Sequence, residues 1–309
     1  MKLKLSRDDL AFRLHNRADT KLIVAMINKD QHHMLHGYTA EKFEQDLDEP
    51  SERIRENTFI VELANKMVGY FSLCFVERET HISVYCYATV DMDWRRRGIG
   101  SAMFAYIFDH LQHAAQQGNK PIHFIHRALT SIPGETALGV NLDMEVQNCL
   151  QIMCLDDWSR AIQDIQPNGF RFRSPQLEDA SSWAEIYNDA FGGNKTAVSV
   201  IHEFQGVEFS PELYLMGVDE KGTPVGLICA TNRGNHARIP TLAVKREWQR
   251  HGVGRALLSE MLRGLRAAGA LDVRLSVESR NEAAQALYTQ CGFEPEYQRI
   301  HYSTIFSKI

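Results

Sequence analysis

Two short glycine motifs contain the residues of this chain that could do chemistry. The stretch 94–100 reads WRRRGIG, and the stretch 248–254, which follows it after 154 positions, reads WQRHGVG. A glycine in a turn lets a ligand approach the main chain, because it carries no Cβ atom. Where such a turn opens a helix, unpaired N–H groups and the positive end of the helix dipole favour phosphate groups. Each motif therefore predicts a pyrophosphate site, although a single one could also be a tight connection without a ligand.

Two competing nucleotide motifs are incomplete. The dinucleotide fingerprint requires a third glycine, and that position holds Met103 in the first copy and Leu257 in the second. The P-loop requires a lysine followed by serine or threonine, whereas Arg255 and Ala256 follow the second motif. Nicotinamide and nucleoside-triphosphate binding are therefore disfavoured.

A second pair of candidate residues follows the second motif. Asn281 and Tyr288 are seven positions apart on a predicted helix, so they share one face of it. Ser279 and Glu282 have the spacing of a capping box at the start of this helix, and Gly292 marks its end. The two side chains can point toward the ligand of the glycine turn. Taken alone, Tyr288 could equally be a residue at the edge of the core, and Asn281 a polar residue of the first turn.

The elements that must position these residues occur twice. After each glycine motif, apolar residues with the same spacing predict an amphipathic helix, over 99–111 and 253–265. Before the motifs we expect strands over 81–90 and 238–244, preceded by hairpins over 59–75 and 213–231 and by helices near 20–28 and 178–190. This repeat predicts a duplicated domain, with domains at 1–158 and 166–309. The linker falls in 156–168, just before a strand at Phe170–Arg173.

Composition limits the class of protein. The chain has 309 residues, 34 basic and 39 acidic ones, and a formal net charge of −5, so we expect two domains and no binding to bulk nucleic acid. No apolar segment follows the N-terminal lysines as in a signal peptide, and no run is long enough to cross a membrane. The six cysteines form no C-x-x-C pair or zinc-ligand spacing, so free thiols in the cytoplasm and no metal are expected.

The second half of the chain resembles the GNAT superfamily of acyl-CoA-dependent N-acetyltransferases. It has the same succession of a strand, a Q-x-x-G-x-G turn, a helix, a second strand and the motif N-x-x-A-x-x-L-Y-x-x-x-G-F. The residues that carry the resemblance are Val244, Gln249–Gly254, Asn281, Ala284, Leu287, Tyr288, Gly292 and Phe293, with a weaker match over 90–111. The layout is similar to the tandem type represented by mycothiol synthase. The resemblance implies an α/β (α+β) fold with two tandem domains, each a mixed, mostly antiparallel sheet flanked by helices.

The resemblance also implies roles for individual residues. Acetyl-CoA would be the cosubstrate, and Tyr288 would protonate the departing thiolate. The coenzyme would be bound by Leu242, Val244, Gln249, Arg250, His251, Gly252, Val253, Gly254, Arg255 and Asn281. A possible second coenzyme site comprises Val90, Arg95, Arg96, Arg97, Gly98, Ile99 and Gly100. A main-chain N–H of the strand before the second motif would stabilise the oxyanion.

The two copies diverge after the second predicted strand. When Phe293 is aligned with Met144, Tyr288 falls on Gly139 and Asn281 falls on Ile132. We therefore expect the first domain to be a degenerate, non-catalytic partner that either binds acetyl-CoA or is purely structural.

The general base and the acceptor stay open. Some branches of the superfamily place a glutamate where this chain has Ser276, which leaves Glu278 as a candidate beside His236, His202 or a water chain. The acceptor, a small-molecule amine or a peptide N-terminus, would be selected by segments 31–55 and 192–211 and by the strand region after Phe293. There Tyr297, His301 and Tyr302 either line an acceptor pocket or alternate between the faces of a strand pair.

We expect the amine to attack acetyl-CoA directly in a ternary complex, and we expect the protein to be a monomer or a homodimer. The alternative is a non-catalytic acyl-CoA-binding regulatory or scaffold protein.

Overall fold

The computed structural model describes residues 7–30, 37–50, 52–161 and 169–308. Its strands are β1 (Leu10–Leu14), β2 (Thr58–Leu63), β3 (Lys66–Glu77), β4 (Ile82–Val90), β5 (Ile122–Leu129), β6 (Glu145–Leu155), β7 (Phe170–Arg173), β8 (Tyr214–Asp219), β9 (Pro224–Arg233), β10 (His236–Val244), β11 (Asp272–Glu278) and β12 (Glu294–Phe306). Its helices are α1 (Thr20–Lys29), α2 (Ala40–Leu47), α3 (Ile99–Gln117), α4 (Pro133–Asn141), α5 (Ala180–Phe191), α6 (Ala197–Phe204), α7 (Val253–Ala267) and α8 (Glu282–Gln290).

The first compact unit consists of Met1–Cys149 together with Gln298–Ile309. Its strands lie in the order β1-β2-β3-β4-β5-β12, and neighbours are antiparallel except for the parallel pair β4 and β5. The apolar stripe of α3 packs on one face of this sheet, where Phe104 and Phe124 are fully buried. The predicted helix after the first glycine motif is thus confirmed.

The second compact unit consists of Leu150–Tyr297 and repeats this plan. Its strands lie in the order β6-β11-β10-β9-β8-β7, and β10 and β11 form the parallel pair. The stripe of α7, with Leu257 and Leu262 fully buried, packs in its core. The predicted fold class and duplication are confirmed, and β7 has the bounds expected from sequence.

Each unit takes one edge strand from the other half of the sequence. Residues 299–306 of β12 pair with β5 of the first unit, and residues 150–155 of β6 pair with β11 of the second. This differs from the contiguous division at 1–158 and 166–309. The reason is that β6 and β12 are long strands, and an alternating pattern shows that a segment is a strand but not which strand it pairs with. Residues 162–168 of the expected linker lie outside the described residues.

In each unit the ladder between the two parallel strands ends before the strands do, next to the glycine loop. The ladder between β4 and β5 ends at Cys86 and His126, and that between β10 and β11 ends at Ile239 and Leu275. Beyond these pairs the described residues of the two strands are not paired in a ladder, so the ends of β4 and β10 keep main-chain groups for a ligand on that side. In the part of the chain that the structure covers, no helix is long and apolar enough to cross a bilayer.

Candidate active site

The glycine loop of the second unit has the backbone of an anion site. Gly252 is the N-cap of α7 with a φ of +83°, and Arg250 also has a positive φ of +64°. A side chain at Gly252 would be strained in this left-handed conformation. The first turn of α7 therefore presents its N–H groups at the end of the loop, and the carbonyl oxygen of Gly252 accepts a hydrogen bond from the N–H of Ala256 at 3.0 Å.

Side chains of the loop brace its own backbone. The Nε2 atom of Gln249 donates to the carbonyl oxygen of Val244 at 3.2 Å, and Nδ1 of His251 lies 2.8 Å from the carbonyl oxygen of Gln249. A Cβ atom at Gly254 would lie 3.5 Å from Val244, which is an ordinary contact. Packing therefore does not require a glycine at this position, and the missing Cβ leaves room for a ligand above the helix start.

The first unit preserves the same loop. Gly98 is the N-cap of α3 with a φ of +78°, and Arg96 has a φ of +61°. Arg95 takes the place of Gln249, because its Nε donates to the carbonyl oxygen of Val90 at 3.0 Å. Arg95 also pairs with Asp30, and Arg97 lies over the Trp94 ring at 4.9 Å. Two of the three arginines are thus engaged with the protein itself.

A β-bulge in the strand that precedes the glycine loop distinguishes the second unit. The register between β10 and β9 shifts between Arg238 and Thr241, whereas the ladder between β4 and β3 runs unbroken from Ile82 to Val90. The bulge lies where the parallel ladder of β10 ends. Sequence reasoning missed it, although Pro240 inside a strand pattern is a signal for a bulge because proline cannot donate a ladder hydrogen bond.

Helix α8 brings Asn281 and Tyr288 into the second unit, but its start differs from the prediction. The N-cap is Asn281, whose Oδ1 accepts a hydrogen bond from the N–H of Ala284 at 3.1 Å. The capping box predicted at Ser279 is therefore wrong, since the chain still turns there, with the N–H of Asn281 on the carbonyl oxygen of Glu278.

Tyr288 is buried in the core of the second unit. Its ring lies 6.0 Å from that of Phe293 in an edge-on arrangement. Burial raises the pKa of Tyr288 to about 12, so its phenol is protonated at neutral pH.

The corresponding helix of the first unit has no room for such a tyrosine. A Cβ atom at Gly139 would lie only 2.5 Å from the ring of Tyr302, which comes from β12. Leu138 faces Gly100 as Leu287 faces Gly254, so the structure supports the alignment of these helices. The space that a side chain at Gly139 would need is filled by another tyrosine.

The candidate bases and acceptor residues are dispersed. Glu278 is exposed at the end of β11, and His236 pairs with Asp272 at 2.6 Å at the start of β10, away from the bulge. His202 lies on α6. Of the residues expected to line an acceptor pocket of the second domain, Tyr297 lies in the second unit. The structure places His301 and Tyr302 in the first, where β12 pairs with β5.

A cavity of about 830 Å³ lies in the first unit, along the loop, the opened strands and α4. Glu135 lines it, accepts a hydrogen bond from the N–H of Leu129 at 2.8 Å, and has a pKa raised by burial to about 7. His126 also lines it, and burial lowers its pKa to about 4. Sequence reasoning missed both groups.

Comparison with known proteins gives related findings for both halves. The acetyltransferase (GNAT) family model matches residues 24–129 and 180–293. A mycothiol acetyltransferase of Catenulispora acidiphila is 30% identical over 220 residues, which cover 65% of this chain and 66% of that relative. This chain therefore spans slightly less than two thirds of that relative's length. A ribosomal protein bS18-alanine N-acetyltransferase of Escherichia coli is 38% identical over 71 residues, or 23% of this chain and 48% of that relative.

Solved structures share the architecture along almost the whole chain. A GCN5-related N-acetyltransferase from Sphaerobacter thermophilus has a TM-score of 0.68 at 21% identity and covers 98% of both chains. A tandem GNAT protein from the clavulanic acid biosynthesis pathway has a TM-score of 0.71 at 17% identity, over 96% of this chain and 98% of its own. At these identities the likeness concerns the fold alone.

Proposed function

The chain belongs to the acetyltransferase (GNAT) family, and from that premise we propose that its second unit transfers an acetyl group from acetyl-CoA to an amine. The observation that carries this proposal is a difference between the units. Both have the glycine loop, but only the second also has the bulged strand and Tyr288. The first unit, with Gly139 in place of the tyrosine, is proposed as a non-catalytic partner whose loop can hold a second coenzyme.

The proposed coenzyme site uses mainly main-chain groups. N–H groups of residues 250–254 would bind the pyrophosphate at the start of α7. Main-chain groups of Leu242 and Val244, on the side of β10 that lacks a β11 partner, would bind the pantetheine arm. The side-chain nitrogen of Asn281 would add a polar contact, because the capping hydrogen bond uses only its oxygen.

The proposed reaction is direct attack of the amine nitrogen on the thioester carbonyl. A C–N bond forms, the C–S bond breaks, and the nitrogen loses a proton to solvent. A main-chain N–H near the bulge stabilises the negative charge on the carbonyl oxygen. Tyr288 gives its proton to the leaving thiolate, and its raised pKa keeps that proton in place at physiological pH.

The acceptor is proposed to be a small-molecule amine or a peptide N-terminus. The names of two relatives mention a small molecule, mycothiol, and the alanine of a ribosomal protein. The attacking nitrogen must be unprotonated. Arg238, buried next to the bulge, favours this form, because a nearby positive charge lowers the pKa of an amine. This reduces the need for a dedicated base such as Glu278.

Thiol release from acetyl-CoA with a panel of amines tests this function. We expect Tyr288→Phe to lower kcat about 100-fold, the scale of general acid catalysis, with little change in acetyl-CoA affinity. Tyr302→Phe removes one hydroxyl from a buried tyrosine of the first unit and serves as the matched control, with unchanged turnover. Unchanged turnover in Tyr288→Phe would exclude this residue as the acid. Binding of acetyl-CoA by the wild-type chain without transfer to any amine would favour the scaffold alternative.

A further inference from the structure

Arg127 is a partly exposed residue with two buried donors that have no hydrogen-bond partner in the part of the chain that the structure describes. It lies on β5, directly after the last residue paired with β4, and it lines the cavity of the first unit. Its Nε and Nη2 atoms are buried and have no hydrogen-bond partner among the described residues. Its guanidinium carbon lies 4.3 Å from the ring centroid of Tyr87 and 5.4 Å from that of Tyr85.

This arrangement is unfavourable without a ligand. A buried charge normally pairs with an opposite charge, and an unpaired buried donor typically costs about 1–3 kcal/mol. The two tyrosine rings offset part of this cost through cation–π contacts, and Tyr87 also forms a side-chain hydrogen bond with the guanidinium, but Nε and Nη2 stay without a partner among the described residues. Within the described ranges, no carboxylate forms an ion pair with Arg127. An arginine whose buried donors have no protein partner is typical of a site where a bound anion accepts their hydrogen bonds.

His301 adds a third buried polar atom beside the two of Arg127. The two residues are directly opposite each other in the ladder of β5 and β12, and Nε2 of His301 is buried without a hydrogen-bond partner among the described residues. Burial, together with the charges of Arg127 and Arg299, lowers the pKa of His301 to about 3. The neutral ring can donate one hydrogen bond but adds no charge.

The donors fit a carboxylate better than a dianion. Nε–H and Nη2–H lie side by side on one edge of the guanidinium plane, and they match the two oxygens of a carboxylate. A dianion would require more donors, and it would share the cavity with Glu135, whose own ionisation is already disfavoured by burial. We propose that the cavity of the first unit binds a carboxylate-bearing small molecule, with the carboxylate side-on to Nε and Nη2 of Arg127 and next to His301.

The site is specific to the first unit. In the alignment that places Phe293 on Met144, Ser276 corresponds to Arg127.

The proposed carboxylate has two chemical sources, an acyl group on a coenzyme A thioester or a free acid. Both fit, because Gly98 of the glycine loop lines the same cavity, whose volume is within the range usual for small-molecule sites.

Calorimetric titration of the full chain with succinate, succinyl-CoA and acetyl-CoA tests the site. Arg127→Met keeps the stem but removes charge and donors, and Arg127→Lys keeps the charge but removes the side-on pair. We expect Arg127→Met to weaken binding of the carboxylate probe at least about tenfold, since a charge-assisted bidentate pair is lost, and Arg127→Lys to give an intermediate loss. Arg173→Met, at an arginine of the second unit that pairs with Asp179, is the control and should bind succinate like the wild type.

The affinities for the three probes show whether the carboxylate belongs to a free acid or to an acyl group on coenzyme A. Saturable binding of succinate that depends on Arg127 indicates a free acid. An Arg127-dependent preference for succinyl-CoA over acetyl-CoA indicates an acyl group. The melting temperature of Arg127→Met should stay close to that of the wild type, because the lost contacts with Tyr85 and Tyr87 are offset by the removal of two buried donors that lack a partner. Lack of saturable binding to either carboxylate probe, or equal affinity in Arg127→Met, would overturn the proposal, whatever the outcome of the Tyr288 experiment.

Discussion

One residue position separates the two units chemically. Tyr288 and Gly139 occupy the same place on corresponding helices, and each is explained by its surroundings. Burial raises the pKa of Tyr288, which keeps the phenol protonated far above neutral pH. Gly139 is required because the Tyr302 ring occupies the space of its side chain. The sequence identified this difference, because residue type and spacing alone show that the tyrosine is missing.

Glu135 makes the stability of the first unit depend on pH. Its carboxyl has a pKa near 7, raised by burial, against about 4.3 in an exposed chain. The folded state therefore holds the proton more tightly than the unfolded state, so stability is full below about pH 4.3 and is lost as pH rises through 7. We expect Glu135→Gln to remove this loss and to be more stable than wild type at pH 8, by up to about 3 kcal/mol.

Urea unfolding at pH 5 and pH 8 checks this prediction. Glutamine keeps an oxygen that can accept the hydrogen bond of Leu129, so the backbone contact is preserved at both pH values. Glu282→Gln, at an exposed position of the second unit, is the control and should show no comparable pH-dependent gain. If Glu135→Gln were less stable than wild type at pH 8, the ionised carboxylate would be stabilising and the argument would fail.

Other important residues could not be placed from sequence. Arg127 and Glu135 belong to no motif, and His301 was expected only as a candidate for the acceptor pocket. The place of His301 beside Arg127 depends on the pairing of β5 with β12, which joins segments far apart in the chain. An arginine in a strand pattern normally indicates a solvated face. Only burial of Nε and Nη2 identifies it as unusual.

At the scale of elements, the glycine loop was the most predictable part. Glycine spacing, the following apolar stripe and the preceding strand each indicate the same turn, and in both loops the structure adds two residues with a positive φ. The bulge at Arg238–Thr241 was harder to predict from sequence, because an extra residue in a strand changes the register without a clear change of composition. The start of α8 was misplaced because Ser279, like Asn281, is a good N-cap residue.

Helix α4 and strand β12 are coupled through Gly139 and Tyr302. Gly139→Ala should lower the free energy of unfolding by about 1–3 kcal/mol, because the new Cβ would lie 2.5 Å from a buried ring. Helix propensity alone would predict a gain of about 1 kcal/mol, so the sign of the change distinguishes packing from propensity. Chemical denaturation measures it.

Two further variants test this coupling. Gly254→Ala adds a Cβ at 3.5 Å from its nearest neighbour, so its stability should be equal to or above that of wild type. Tyr302→Leu in the Gly139→Ala background should recover part of the loss, because the clash with the ring disappears. Equal stability of Gly139→Ala and wild type would show that the ring of Tyr302 moves aside without cost.

At the scale of the whole molecule, the duplication was predictable and the distribution of strands was not. Two glycine motifs 154 residues apart suffice to show two related domains. The structure adds that residues 298–309 belong with the first half of the chain and residues 150–155 with the second. Because sequence patterns report the faces of a strand and not its neighbours, this exchange is visible only in the pairing registers.

Because of this exchange, we expect removal of the C-terminal segment to destabilise strand β5. A chain ending at Tyr297 lacks the segment that pairs with β5 over eight residue positions and that buries Tyr302 and Phe306 in the core of the first unit. Amides of β5 should therefore lose protection from hydrogen exchange, although their residues are far from the deletion in sequence. Ile305→Ala, at a side chain that is 60% exposed on the same strand, should leave this protection intact. If the shortened chain protected β5 as well as the full chain does, the first 149 residues would be a self-sufficient unit, and the contiguous division would describe the protein better.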